Sequence, residues 1–139
     1  MNVVINKCYG GFGLSHQAVM RYAELSGFSL YPFTEARDDK GQMIFDRFVA
    51  YEGNKKEWFV HYAKSPLTPD GKYINEDYWC VRDLKRNDFN LLKIVEELGE
   101  AANGECAKLH VVEIPDGVDF EIQEYDGFES IHERHRVWG

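Results

Sequence analysis

The residues best suited to chemistry lie in three short stretches. The first is Lys7-Cys8-Tyr9-Gly10-Gly11-Phe12-Gly13-Leu14-Ser15. An apolar run, Val3-Val4-Ile5, precedes it, and apolar residues at helical spacing come after. A strand that passes through glycines into a helix start presents backbone N–H groups to an anion. Glycine allows the close approach and positive φ that such a turn requires. Lys7 adds a cation, Tyr9 and Phe12 add rings, and Ser15 is a good N-cap. The stretch is neither a P-loop nor a dinucleotide fingerprint, and no Gly-Lys-Ser/Thr step follows it. A turn packed against a sheet uses the same glycines, so packing stands beside anion binding.

The second stretch is Arg82-Asp83-Leu84-Lys85-Arg86-Asn87-Asp88, with three basic residues just ahead of a helix. Arginine forks match phosphate or carboxylate, and a helix N-terminus favours anions. The plainer alternative is a solvated loop in which Arg82 and Arg86 pair with nearby aspartates. The third stretch is His132-Glu133-Arg134-His135-Arg136-Val137-Trp138. Strand alternation puts His132, Arg134, Arg136 and Trp138 on one face. Cations beside an aromatic ring grip bases and phosphates together. An exposed polar sheet face closed by Trp138 accounts for the same pattern.

Catalytic signatures are weak. No Gly-x-Ser-x-Gly elbow occurs. His132 and His135, three apart, do not share a strand face and match no metal-binding pattern. His61 and His110 read as structural strand residues. The expectation is a binding protein with no cofactor and no metal. An enzyme, such as a small nucleotide-processing hydrolase, requires residues that meet only in space.

Composition narrows the partners. The 139 residues fit one domain, 1–139. The net charge of −8 argues against bulk binding to a nucleic-acid backbone, which needs many cations. It leaves room for a small phosphorylated ligand held by local Arg and Lys. Cys8, Cys80 and Cys106 are odd in number and scattered, which fits reduced thiols in the cytoplasm. No apolar run reaches membrane-spanning length.

The elements that must position these residues read as an α+β domain. It has a mixed or antiparallel sheet, two main helices and a C-terminal β-hairpin. After the strand at 3–5, Ala18, Val19, Tyr22 and Ala23 mark a helix that Gly27 stops. A strand is expected at 28–31 and an exposed turn at 35–41. Residues 48–51 and 57–62 read as a hairpin, and 65–71 as a flap-like loop. A short extended piece is expected at 78–83. Asn87 or Asp88 caps a second helix with Leu91, Leu92, Ile94, Val95 and Leu98 as its stripe, stopped at Asn103-Gly104. A strand at 108–114 ends at Pro115. Asp126-Gly127 marks a two-residue type I′ hairpin loop. It sets Tyr125 opposite Phe128, Ile122 opposite Ile131, Glu121 opposite His132 and Asp119 opposite Arg134. Glu124 opposite Glu129 is a like-charge mismatch in that register.

The two ends of the chain resemble a family of small uncharacterised proteins of bacteriophages and prophages. The shared residues are Ile5 to Ser15, Ala18-Val19, Tyr22 to Leu25, Arg82-Asp83, Arg86, Asp88, Val95 to Gly99 and Ala102 to Gly104. They continue through Lys108, Val112 to Pro115, Glu124 to Gly127, Glu133, His135-Arg136 and Trp138. Residues 32–77 depart from the pattern and read as a variable insertion. The resemblance implies a phage accessory protein. Phages encode compact proteins that sequester cyclic or ADP-ribose-derived nucleotide signals of host defence. On that analogy the ligand site comprises Lys7, Tyr9, Gly10, Gly11, Phe12, Ser15, Arg82, Arg86, His132, Arg134, Arg136 and Trp138, in a homo-oligomer. A protein-binding inhibitor of a host enzyme is the alternative.

Overall fold

The computed structural model describes residues 1–53 and 59–134, with the side chains of 43–47 outside the description. In chain order the elements are β1 (Asn2–Asn6), α1 (His16–Ser26), β2 (Tyr31–Arg37), β3 (Met43–Ala50), β4 (His61–Ala63), β5 (Tyr78–Trp79), α2 (Phe89–Leu98), β6 (Leu109–Glu113), β7 (Phe120–Tyr125) and β8 (Phe128–Glu133). They form the expected α+β fold. Every strand pairing among the described residues is antiparallel, in three sheets: β1-β6, β3-β2-β4-β5 and β7-β8.

β1 is the buried strand. Val3, Val4 and Ile5 are almost fully enclosed, as a continuous apolar run requires when both faces are covered. Its partner β6 runs from Leu109 opposite Asn6 to Glu113 opposite Asn2. The core joins Val4 to Ala18 and Tyr22 of α1 and to Leu91, Ile94 and Val95 of α2. Val19 and Ala23, on the same helix as Ala18, pack with Leu30 and Tyr62 and attach the larger sheet.

The helices start and stop for local reasons. Ser15 caps α1 through its hydroxyl, which accepts from Ala18 N–H, and Gly27 ends it at φ 79°. Asp88 caps α2, accepting from Asn90 and Leu91 N–H. Its other oxygen accepts from the Tyr22 hydroxyl, so one carboxylate ties both helices. The stop of α2 comes earlier than Asn103-Gly104: Gly99 at φ 57° breaks the helix, and a 3₁₀ turn carries the chain on to Ala102.

The large sheet differs from the sequence reading in two ways. β2 begins at Tyr31 and continues to Arg37, so only 38–41 form the turn, where Asp38 accepts from Lys40 and Gln42 N–H. Residues 48–50 and 61–63 are not hairpin partners. β2 lies between them, Phe33 facing both Ala50 and His61. Local alternation marked these strands only in part, since β3 begins at Met43 and β4 covers only His61–Ala63, and only the long-range pairing fixes their neighbours. Part of that expected hairpin, 54–58, falls outside the described residues. The C-terminal hairpin has the expected register, including Glu124 opposite Glu129, and φ is positive at both Asp126 and Gly127.

Candidate functional site at the glycine turn

Asn6, the last residue of β1, organises the glycine turn. It is fully buried. Its amide donates to the carbonyls of Cys8 and Gly127, each at 2.7 Å. Its side-chain oxygen accepts from Lys108 N–H at 2.8 Å. Its backbone N–H donates to Glu129. One side chain thus fixes the turn to β6 and to the hairpin.

The glycines sit where three backbones meet. Gly10 and Gly11 have φ of 125° and 113°, a region costly for any residue with a Cβ. Gly10 N–H donates to the Asp126 carbonyl at 3.0 Å. A Cβ on Gly127 would lie 2.2 Å from Gly11 N, and one on Gly104 would lie 2.8 Å from the Gly13 carbonyl carbon. Gly104 N–H donates to the Gly13 carbonyl, and Ser15 N–H to that of Ala102. Much of the turn is therefore packing.

The other side of the turn is open. A cleft of about 260 Å³ lies between Gly10–Leu14 and the segment Gly104, Glu105 and Cys106. Lys7 and Lys108 do not line it but lie close in sequence to its two walls. Lys7 N–H donates to the Lys108 carbonyl, both side chains are exposed, and neither makes an ion pair among the described residues.

Arg86 does come to the turn. Its guanidinium lies over the Phe12 ring, 3.5 Å from the centroid. It is already engaged, since Nη1 and Nη2 donate to the two oxygens of Glu129 at 2.7 and 2.8 Å. Arg86 therefore braces the hairpin against β1 with its charge neutralised. Phe12 both lines the cleft and carries Arg86 on its ring.

The remaining expected residues are dispersed. Tyr9 is exposed, its ring 5.5 Å from that of Phe128. Arg82 lies in the 3₁₀ turn Val81–Asp83 and does not line the cleft. Its neighbour is Tyr78, whose phenol pKa burial pushes up, with Cys80 and Tyr73 adding and Arg82 opposing. His132 shares a hydrogen bond with Ser130 at 2.8 Å, and Arg134 faces Asp119 at 3.8 Å, both on the exposed hairpin. Arg136 and Trp138 lie outside the described residues.

Sequence reasoning missed Asn6, Lys108 and Glu129. The only signal for Glu129 was its mismatch with Glu124, which its burial and ion pair with Arg86 resolve. His61 bonds the Tyr78 hydroxyl at 2.9 Å and stacks on Phe33, with Glu35 at 4.0 Å. A second cleft, of about 400 Å³, lies between Arg37, Phe48 and Val49 and the loop at Pro69–Gly71. There Arg37 is bonded to the Gly41 carbonyl.

Among the described residues no three His, Cys, Asp or Glu side chains are grouped to hold a metal ion. No helix among them is long and apolar enough to cross a membrane. The three cysteines are free thiols. Compared with protein-family models, curated proteins and solved structures, the chain has no significant match.

Proposed function

We propose that this chain is a non-catalytic binding protein that holds a small phosphorylated, nucleotide-like ligand in the cleft at the glycine turn. The observation that carries this reading is the pair Lys7 and Lys108. Their backbones are bonded to each other, so two exposed ammonium groups leave from adjacent positions with no carboxylate partner among the described residues. Like charges across a ladder are destabilising by a few tenths of a kcal/mol, up to about 1. A bound phosphate offsets that cost.

The rest of the cleft suits the same ligand. Gly11, Phe12 and Gly13 bring main chain to its surface with little side-chain cover. Glu105, on the opposite wall, has the chemistry to accept from ribose hydroxyls. The cleft is smaller than the roughly 300–1,000 Å³ of pockets that enclose drug-sized ligands. It accommodates a phosphate and ribose and leaves the base outside, where the Tyr9 ring is exposed for stacking. The resemblance to phage proteins adds the candidates: cyclic dinucleotides and ADP-ribose derivatives, sequestered as signals of host defence.

Titration calorimetry with those compounds tests the reading. Binding to the native chain, weakened in Lys7→Ala and Lys108→Ala, is expected. Recovery of the compound unchanged after denaturing the complex separates binding from turnover. An absence of heat with every compound refutes the proposal.

A further inference from the structure

The tip of the β7–β8 hairpin carries aromatic surface that the cleft does not use. Tyr125 and Phe128 stand opposite each other across the two-residue turn, so they share a face. Tyr125 is 79% exposed and Phe128 38%. The other face of the hairpin holds Ile122 and Ile131, which are half-buried. Apolar residues therefore point both ways at this end, and only one set is covered. Tyr9, whose ring the cleft reading assigns to the ligand's base, adjoins this set without belonging to it. Clustered exposed rings of this kind mark interaction sites.

The charge around the rings specifies the partner. Residues 113–134 contain eight Asp or Glu and one Arg or Lys, Arg134. Glu129 is neutralised by Arg86, Asp116 by the N-terminal ammonium, and Asp119 faces Arg134. Glu124 and Asp126, which flank Tyr125 in sequence (Glu124 on the opposite strand face), are exposed and make no ion pair among the described residues. That field repels nucleic-acid phosphates, anionic lipid and the same tip of a second copy. Guanidinium is the group that satisfies both features, because it stacks on aromatic faces while its N–H fork meets carboxylates. We infer that the hairpin tip is a docking surface for an arginine-rich surface of a partner protein.

The test is fluorescence anisotropy of a labelled oligo-arginine peptide titrated with the full chain. Saturable binding that weakens with added salt is expected. Tyr125→Ser and the pair Glu124→Gln with Asp126→Asn should each weaken it about tenfold, while Tyr125→Phe, which keeps the ring, should bind like the native chain. The exposed pair Asp39→Asn with Glu52→Gln, which lies outside the hairpin in the β2–β3 turn and just after β3, should change affinity less than about twofold. No binding, an unchanged affinity in Tyr125→Ser, or an equal loss in this second pair overturns the inference. Lys7→Ala, which tests the cleft, leaves this result unaffected.

Discussion

Arg86 and Glu129 meet through two parallel hydrogen bonds at 2.7 and 2.8 Å, with Glu129 only 5% exposed and Arg86 seated on the Phe12 ring. The pair joins the loop before α2 to β8, and Arg86 also bonds the Val4 carbonyl. Removing one partner leaves the other charged and half-buried or deeper. Glu129→Leu or Arg86→Met should therefore cost about 3 kcal/mol in denaturant unfolding, and the double variant should recover most of it. A double variant as unstable as the sum of the singles would show that the two side chains act independently.

Gly127 should be the least replaceable glycine of the hairpin. Ala there takes φ 88° and puts a Cβ 2.2 Å from Gly11 N, with no flexible side chain to yield. A loss of about 3 kcal/mol or more is expected. Gly41→Ala, also at positive φ (79°) but facing open space, should cost only about 1 kcal/mol. Comparing the two midpoints isolates the close approach from the backbone strain.

High pH should destabilise the fold through two phenols, the buried Tyr22 and the partly covered Tyr78. Burial pushes the Tyr22 pKa above its ordinary value, the Asp88 carboxylate adds to this, and a Ser26 hydrogen bond opposes it. Tyr78 is raised as well, first by burial. The unfolded chain releases these protons near pH 10 while the folded chain still holds them. Stability is thus fully present below about pH 10 and falls as pH rises through the folded-state values. Unfolding measured from pH 8 to 11 should show this decline, and Tyr22→Phe should flatten it.

The legible parts of the molecule are those set by neighbouring residues. Asp126-Gly127 dictated the hairpin register because a two-residue loop leaves one choice. Ser15, Gly27 and Asp88 marked helix ends because caps act within a turn. The place of β2 between β3 and β4 was not legible, since Phe33 selects Ala50 and His61 only once the chain has closed on itself. At the site, the glycines announced a close approach but not its partner. Whether Arg86 faces a ligand or Glu129 depends on a residue 43 positions away.

Lys7 and Lys108 should show opposite effects on stability and affinity. Relief of their repulsion in Lys108→Gln should raise the ligand-free stability by roughly 0.2–0.5 kcal/mol. The same change weakens an anionic ligand about tenfold. Thermal unfolding with and without ligand reads both quantities in one experiment.

The most direct measurement of the central claim is titration calorimetry of ADP-ribose and cyclic dinucleotides, one at a time, into the native chain and into a Lys7→Ala, Lys108→Ala double variant. The cleft reading predicts saturable binding of at least one compound by the native chain and about 100-fold weaker binding by the variant. Absence of heat with every compound, or equal affinity in the two proteins, would contradict it.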